Sequence, residues 1–449
     1  MKILPAKSFY KSILKLALPA IAGLSTQMVV SLTDSAMVGR LEEATYALAA
    51  MGIGVLATWA LVSFFSSLAT GTHVIVARRF GEKDYEGCSQ ALINSLLIGF
   101  IIGIIVATVG VLAAYRISDF LAVDKTVGHY AGEYIFYRFM GIPLFLVSVS
   151  YRGFYFGISK TKIFMFSGVT TNLLNIFFNW VFIYGNLGMP RMGIGGSGFA
   201  STLATGFDFI FYTVVLMMPE YRNKFHPFGN LKIKFDLLKK IYRISLPVSF
   251  QNVFILIGFL LFIITTGMIG TEEQAASQAV ISTLFISFLP SFGFGIAVQT
   301  LVGNNLGSGK FLAAKIYGFE TAKIATYYTL LLGVIYISIP HYVLLLITNN
   351  QTIISIAKPV LRIAGFAQIF YAVGVVLANG LQAAGKTFFV MMSEVITNLF
   401  IFVPLAYLMG VVFGGGLIWA WLALPVYIPL YSLIIYKKYA EGKWQKRAI

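Results

Sequence analysis

The feature that most constrains this chain is a succession of long apolar stretches separated by short polar breaks. An α-helix rises about 1.5 Å per residue, so about 20 apolar residues are needed to cross the hydrocarbon core of a bilayer. The chain contains about twelve stretches of this kind. We place the predicted spans at 13-38, 46-72, 89-114, 130-157, 163-186, 194-218, 242-268, 276-302, 314-340, 355-383, 388-411 and 415-436.

The composition agrees with a membrane location and argues against an enzyme. Hydrophobic side chains make up 58% of the 449 residues and charged ones only 11%, whereas a soluble domain carries roughly 45–50% and about 25%. A single cysteine, Cys88, excludes a disulfide framework. The four histidines show no metal-ligand spacing and no obvious catalytic partner. We therefore expect an all-α integral membrane protein that is not an enzyme.

The net charge of +16 is explained by where the basic residues lie. They concentrate in the two tails, with Lys2 and Arg447 among them, and in the even-numbered connections between spans, above all in segment 219-241. By the positive-inside rule, we expect both termini to be cytoplasmic. The expected location is the plasma (inner) membrane. Because the charge is a topology signal, we expect the lipid bilayer as a partner and no nucleic acid.

The chain also contains an internal repeat at an offset of 226 residues. Lys160-Thr161 recurs as Lys386-Thr387, and Thr171-Asn172-Leu173 recurs as Thr397-Asn398-Leu399; Leu18-Pro19 recurs as Leu246-Pro247, slightly out of step. Each copy holds six spans, so both enter the membrane with the same orientation and are related by a pseudo-two-fold axis along the membrane normal. We predict an N-terminal six-helix lobe (1-218), a basic cytoplasmic linker (219-241) and a C-terminal six-helix lobe (242-449).

Two six-helix lobes that can rock about a central cleft are the architecture of an alternating-access transporter. The sequence contains no G-x-x-x-x-G-K-[ST] motif, so direct use of ATP is not expected and an ion gradient must drive transport.

Several motifs resemble the multidrug and toxic compound extrusion (MATE) transporters. They are Leu18-Pro19 followed by Asp34, Arg78-Arg79-Phe80-Gly81, Asn175-x-x-x-Asn179, the Gly-rich segment 193-198 and Gly385-Lys386-Thr387. The resemblance implies a monomeric multidrug exporter, an antiporter that extrudes small cationic or amphiphilic organic compounds in exchange for H⁺ or Na⁺. No cofactor other than the coupling ion is expected.

The expected coupling site centres on Asp34, since ionisable groups at membrane depth are functional candidates. Asp34 lies about four residues inside span one and Asn179 about seven inside span five, so their depths agree within roughly 5 Å. Asn175 lies one turn from Asn179 on the same helix face. Thr202 on span six is a further candidate, and Asp208 either joins this network or forms a separate buried pair. If the ion is Na⁺, the expected metal ligands are Asp34, Asn175 and Asn179.

The repeat supplies an internal control for this cluster. Asn175 and Asn179 correspond to Ile401 and Leu405, and the counterpart of Asp34 falls within the apolar run Leu260 to Ile264. The second copy folds without the polar cluster, which favours a functional role for it.

The second lobe departs from the family pattern. NorM-type members place acidic residues in spans seven and ten, whereas this chain has Gln251 and Asn252 in span seven and Tyr371-Ala372-Val373 in span ten. Gln251, Asn252, Tyr371 and Glu394 are our candidates for polar contacts in the substrate cleft. Glu320 is expected to form an ion pair with Lys323 on the same helix face, and Arg152 to satisfy backbone carbonyls or extend toward an interface.

A lipid-linked oligosaccharide flippase of a related fold is the alternative function. Its cleft must hold a pyrophosphate and should show several inward Arg or Lys residues at membrane depth, of which this chain has few.

Overall fold

In a computed structural model that describes residues 7–227, 229 and 232–446, the chain folds into helices, and no strand occurs among these residues. Lys2 and Arg447 lie outside the described residues. The helices are α1 (Lys7–Val38), α2 (Ala44–Ser66), α3 (Leu68–Gly81), α4 (Tyr85–Leu121), α5 (Lys125–Met140), α6 (Ile142–Gly157), α7 (Thr161–Tyr184), α8 (Gly193–Met217), α9 (Pro219–Phe225), α10 (Phe235–Ile269), α11 (Thr271–Gly307), α12 (Phe311–Ser338), α13 (Pro340–Leu345), α14 (Gln351–Ala383), α15 (Thr387–Thr397), α16 (Val403–Tyr407), α17 (Gly416–Trp421) and α18 (Ala423–Glu441). Two π-helical turns, Asn398–Phe402 and Leu408–Val412, flank α16, and Asn186–Gly188 and Lys443–Lys446 are 3₁₀ turns.

The predicted class and number of spans are confirmed. Eleven helical segments of the described chain are long and apolar enough to cross a membrane, and the bent pair α5 and α6 makes the twelfth. Short helices combine within single spans, as in Ala44–Gly81, Thr387–Val412 and Gly416–Glu441. The protein is thus an all-α integral membrane protein, and the span predicted at 130-157 differs from the others because it bends by 49°.

The bend occurs at Gly141, between α5 and α6. The Gly141 amide donates to the Arg138 carbonyl rather than to that of Tyr137, so the regular helix ladder ends there. Thr202 of α8 replaces the missing donor, because its Oγ1 donates to the Tyr137 carbonyl at 2.6 Å. A Cβ on Gly141 would lie only 2.6 Å from this hydroxyl. Glycine therefore permits the close approach by which α8 caps the broken helix.

The contacts divide the chain into two units. The first comprises Ala22–Ser245, and the second comprises the residues up to Ile21 together with those from Leu246 onward. Each division falls inside a long helix, α1 or α10, a few residues from Pro19 or Pro247, where proline lacks the amide hydrogen of the helix ladder. The first part of α1 thus packs within the second unit. The boundaries 1-218, 219-241 and 242-449 stay predictions based on the repeat.

Each unit has its own apolar core. In the second unit, Ile13 and Leu16 of α1 pack in one buried cluster with Phe294 and Val298 of α11. In the first unit, one buried cluster joins the C-terminal end of α1, helices α2 and α5, the C-terminal end of α7 and the start of α8. The second of these arrangements fixes the level at which α1, α7 and α8 meet.

Candidate functional site

The candidate site lies just below the buried cluster that joins α1, α7 and α8 in the first unit. Val38, Ile183 and Ile194 are members of that cluster. Asp34 lies one helical turn from Val38, and Asn179 lies one turn from Ile183. The shared apolar cluster therefore brings their polar side chains to the same level.

A chain of hydrogen bonds links the three helices at this level. Asn179 Nδ2 donates to Asp34 Oδ1 at 2.5 Å and to Asn175 Oδ1 at 3.2 Å. Asn175 Nδ2 donates in turn to Ser201 Oγ at 3.3 Å. Asp34 is 5% exposed and Asn179 is fully buried. The structure thus brings together Asp34, Asn175 and Asn179 as expected from their depths, and adds Ser201 of α8.

The network contains one acceptor that no protein donor satisfies. Asn179 Oδ1 is buried and has no hydrogen-bond partner. Both hydrogen bonds of this side chain are made by its amide nitrogen. A buried polar atom without a partner costs about 1–3 kcal/mol. A proton on Asp34 or a bound cation would supply the missing interaction. Carboxylate, amide and hydroxyl oxygens are also the donors that hard cations prefer.

Asp34 has no basic residue as an ion-pair partner. Within the part of the chain that the structure describes, none of the ion pairs within 4.0 Å includes it. Arg138 of α5 is near enough to interact electrostatically with Asp34 but does not reach that distance. A charged carboxylate in an apolar interior is unfavourable unless a cation compensates it. The arrangement can therefore respond to a small cation.

Thr202 does not join this network. Its hydroxyl donates to the Tyr137 carbonyl at the bend between α5 and α6, while the preceding residue, Ser201, contacts Asn175. The spacing along span six does not tell which of these neighbouring hydroxyls faces span five. The bend at Gly141 determines that Thr202 faces α5, because it frees the Tyr137 carbonyl. The apolar pattern of the sequence does not show this bend.

Asp208 forms a separate, buried ion pair. Arg152 Nη2 lies 3.1 Å from Asp208 Oδ2, and Thr171 Oγ1 donates to Asp208 Oδ1 at 3.3 Å. Ser167 also donates to this carboxylate. Of the two roles considered for Asp208, the structure thus shows the paired one. The expectation for Arg152 was wrong: its guanidinium pairs with Asp208 and lies 5.5 Å from the centre of the Phe164 ring.

The candidate cleft residues of the second unit do not form one polar cluster. Gln251 accepts a hydrogen bond from Gln382 Nε2 at 3.1 Å, and Asn252 is partly buried on α10. The Tyr371 ring packs 4.6 Å from that of Phe288. Their role in substrate binding stays a prediction.

The two buried acidic residues of the second unit, Glu320 and Glu394, have different surroundings. Glu394 is buried and accepts from the Tyr427 hydroxyl. The expected pair between Glu320 and Lys323 is present at 2.7 Å.

Comparison with known proteins agrees with this architecture. The MatE family model matches residues 19–181 and 247–408, one match in each copy of the repeat. The chain is 26% identical over 443 residues to "Probable multidrug resistance protein NorM" of Thermotoga maritima, covering 98% of this chain and 94% of the relative. Bacillus subtilis has a similar protein, "Probable multidrug resistance protein YoeA", at 21% identity over 87% of this chain and 84% of the relative.

Solved structures show the same fold. One, described as "Outward-facing conformation of a multidrug resistance MATE family transporter of the MOP superfamily", superposes with a TM-score of 0.89 at 20% identity and covers 98% of this chain and 97% of the other. The family model spans most of the sequence, and the solved structure superposes on nearly the whole chain. The chain therefore belongs to the MatE family, whose members are membrane transporters and not enzymes.

Proposed function

We propose that this protein is a secondary antiporter of the plasma membrane, with both termini cytoplasmic, that exports small cationic or amphiphilic organic compounds in exchange for H⁺ or Na⁺ by alternating access. Its relatives are named as multidrug resistance proteins, which supports the substrate class. The observation that carries the coupling proposal is the buried network of Asp34, Asn175, Asn179 and Ser201 with its unpartnered amide oxygen.

The proposed coupling follows from the cost of an empty, charged site. When Asp34 is charged and no cation is present, the carboxylate has no ion-pair partner in the described part of the chain. A proton or Na⁺ removes that cost and gives the Asn179 oxygen a partner. The ion-loaded and the ion-free protein therefore favour different conformations, and an ion gradient can drive the change between them. H⁺ and Na⁺ compete for the same oxygens.

The exporter is preferred to the flippase because this chain has few basic residues at membrane depth. Binding of a pyrophosphate requires uncompensated positive charge at membrane depth. One of these few residues, Arg152, is paired with Asp208, so its charge is neutralised within the protein.

The test is efflux of a fluorescent organic cation from proteoliposomes under an imposed pH or Na⁺ gradient, comparing the wild type with Asp34→Asn. We expect the variant to lose gradient-driven efflux, because an amide binds neither ion with the required strength. Asp124→Asn is the matched control. Asp124 caps the start of α5 by accepting from the amides of Thr126 and Val127, and asparagine caps helices equally well.

Efflux by Asp34→Asn at the wild-type rate under either gradient would remove Asp34 from the mechanism. The pH and Na⁺ arms, run separately, identify the coupling ion. A labelled polyprenyl lipid reconstituted in the same vesicles tests the alternative function, since movement of the lipid without movement of the organic cation would favour the flippase.

A further inference from the structure

We propose that Glu394 is a second proton-binding carboxyl group, located in the second unit and separate from the Asp34 network. The proposal deepens the proposed function and depends on it, because a second titrating carboxyl changes the number of protons exchanged per substrate. It follows from the partners of Glu394, from an unsatisfied amide one turn away and from the local shape of the helix.

Glu394 lies in a buried position without a cationic partner. It is 4% exposed, and none of the ion pairs among the described residues includes it. The groups that face it are the hydroxyls of Tyr427 and Tyr431 from α18, Tyr371 from α14 and the Asn398 amide on its own helix. None of these groups is a cation. A carboxylate here would be a buried, uncompensated charge, and a bound proton removes it.

The neighbouring Asn398 amide can form a hydrogen bond with Glu394 in either protonation state. It lies one turn after Glu394, on the same helix face, and its side chain is near the carboxyl group. Its Oδ1 is buried and has no hydrogen-bond partner. A protonated Glu394 can donate its O–H to this oxygen, whereas a charged Glu394 accepts from the amide nitrogen. Turning the Asn398 amide therefore satisfies either protonation state.

The helix geometry positions this amide. A π-helical turn, Asn398–Phe402, begins at Asn398, directly after α15. Such wide turns are rare and often occur at functional sites, because they redirect side chains that a regular helix would fix. The side-chain oxygen of Asn398 lies against Gly258 of α10 and occupies the space that a Cβ on Gly258 would fill. The wide turn and the glycine together give the amide its place beside Glu394.

The donors around Glu394 favour a proton over a metal ion. The Tyr427 hydroxyl donates a hydrogen bond to the carboxylate, and the Tyr431 hydroxyl and the Asn398 amide lie beside it. A hydrogen-bond donor occupies a lone pair that a metal ion would need. The network around Asp34 instead offers several acceptor oxygens. The repeat adds that Glu394 corresponds to Gly168 in the first copy, so an acid at this position is not needed to build the span.

The test is infrared pH-difference spectroscopy of the purified full-length protein, which detects protonated carboxyl groups directly. We expect Glu394→Gln to lose one carboxyl C=O band that the wild type shows on acidification. Tyr427→Phe keeps the band but shifts it, because the carboxyl group loses a hydrogen-bond donor, and so provides a readout even if Glu394→Gln folds poorly. Asp34→Asn, the matched control, should lose a different band.

Exchange of choline for Na⁺ at constant pH separates the two possible ligands. The carboxyl band of Glu394 should be the same in Na⁺ and in choline. Loss of this band when Na⁺ is added at constant pH would show that Na⁺ displaces the proton from Glu394, and would overturn the proposal. Spectra of Glu394→Gln that match the wild type would overturn it as well.

Transport then shows whether this proton is coupled. If both carboxyls exchange one proton each, the proton-to-substrate ratio in Glu394→Gln should fall to about half that of the wild type. An unchanged ratio together with unchanged spectra refutes the Glu394 proposal but leaves the antiporter intact. Absence of gradient-driven efflux in the wild type refutes the proposed function, and the spectra alone then decide whether Glu394 binds a proton.

Discussion

The buried pair between Arg152 and Asp208 allows a quantitative test of the packing described for the first unit. The Arg152 side chain is 21% exposed, and that of Asp208 only 2%. Removing one partner of a buried pair costs about 3–5 kcal/mol, because the other charge remains uncompensated. Arg152→Met leaves the less exposed Asp208 carboxylate unpaired, so its cost should lie near the upper value. Asp208→Asn leaves the more exposed Arg152 guanidinium unpaired, so its cost should lie near the lower value.

These energies correspond to large shifts of the thermal midpoint. For a cooperative unit of the size of Ala22–Ser245, 1 kcal/mol corresponds to about 2–4 °C. We therefore expect a decrease of about 10–20 °C for Arg152→Met and about 6–12 °C for Asp208→Asn. The double variant should be more stable than Arg152→Met alone, since it leaves no unpaired charge.

The chain provides its own probe for this measurement. Cys88 is the only cysteine in the sequence, and its side chain is fully buried in α4. A thiol-reactive fluorescent dye therefore labels the protein only when the first unit opens, and heating in the presence of the dye reports the midpoint. Midpoint shifts of the two single variants that simply add in the double variant would show that Arg152 and Asp208 are not coupled, and would refute the reasoning.

Two further comparisons test neighbouring assignments. Ser201→Ala removes the acceptor of Asn175 Nδ2 and should weaken binding of the coupling ion about fivefold in a transport assay, the value of one hydrogen bond of about 1 kcal/mol. Thr202→Val is the control for Ser201→Ala and should lower only the thermal midpoint, because the Thr202 hydroxyl caps the bend between α5 and α6. Equal loss of ion affinity in both variants would contradict the assignment of Ser201, and not Thr202, to the side that faces Asn175. Glu320→Gln should lower the midpoint by about 6–12 °C, because it removes the carboxylate that pairs with the Lys323 ammonium, which is about as exposed as the Arg152 guanidinium. The same variant should leave efflux unchanged, and impaired efflux would place Glu320 in the mechanism.

The spans and the depth of the polar residues could be predicted because both follow from one-dimensional rules. Apolar runs of membrane length predicted the helices, and counting residues from the span ends placed Asp34 and Asn179 at one level. The structure joins these two side chains by a hydrogen bond. Here the rise per residue and the thickness of the bilayer are sufficient, since neither depends on the rest of the fold.

The facing of individual side chains could not be predicted in the same way. Ser201 and Thr202 are adjacent hydroxyl residues, and a helical pattern alone does not tell which one faces α7. The carbonyl that binds Thr202 becomes available only because the helix breaks at Gly141, far away in sequence. Likewise Arg152 and Asp208 lie 56 residues apart, so their pairing depends on how α6 packs against α8.

Four acidic side chains are buried in the described part of the chain: Asp34, Asp208, Glu320 and Glu394. Their partners divide them into two classes, and each unit has one member of each class. Asp208 and Glu320 are paired with an arginine or a lysine, so each of these charges is already neutralised and a change of protonation would strand its partner.

Asp34 and Glu394 are held by amide and hydroxyl groups instead, and beside each lies an asparagine with an unsatisfied oxygen. Neither acid lies within 4.0 Å of a basic group, so a change in its protonation breaks no ion pair among the described residues. Because an unpaired acid has the lower cost of changing its charge, the paired acids should control stability and the unpaired ones transport. Burial alone does not separate these two classes, and neither does position in the sequence; the partner does.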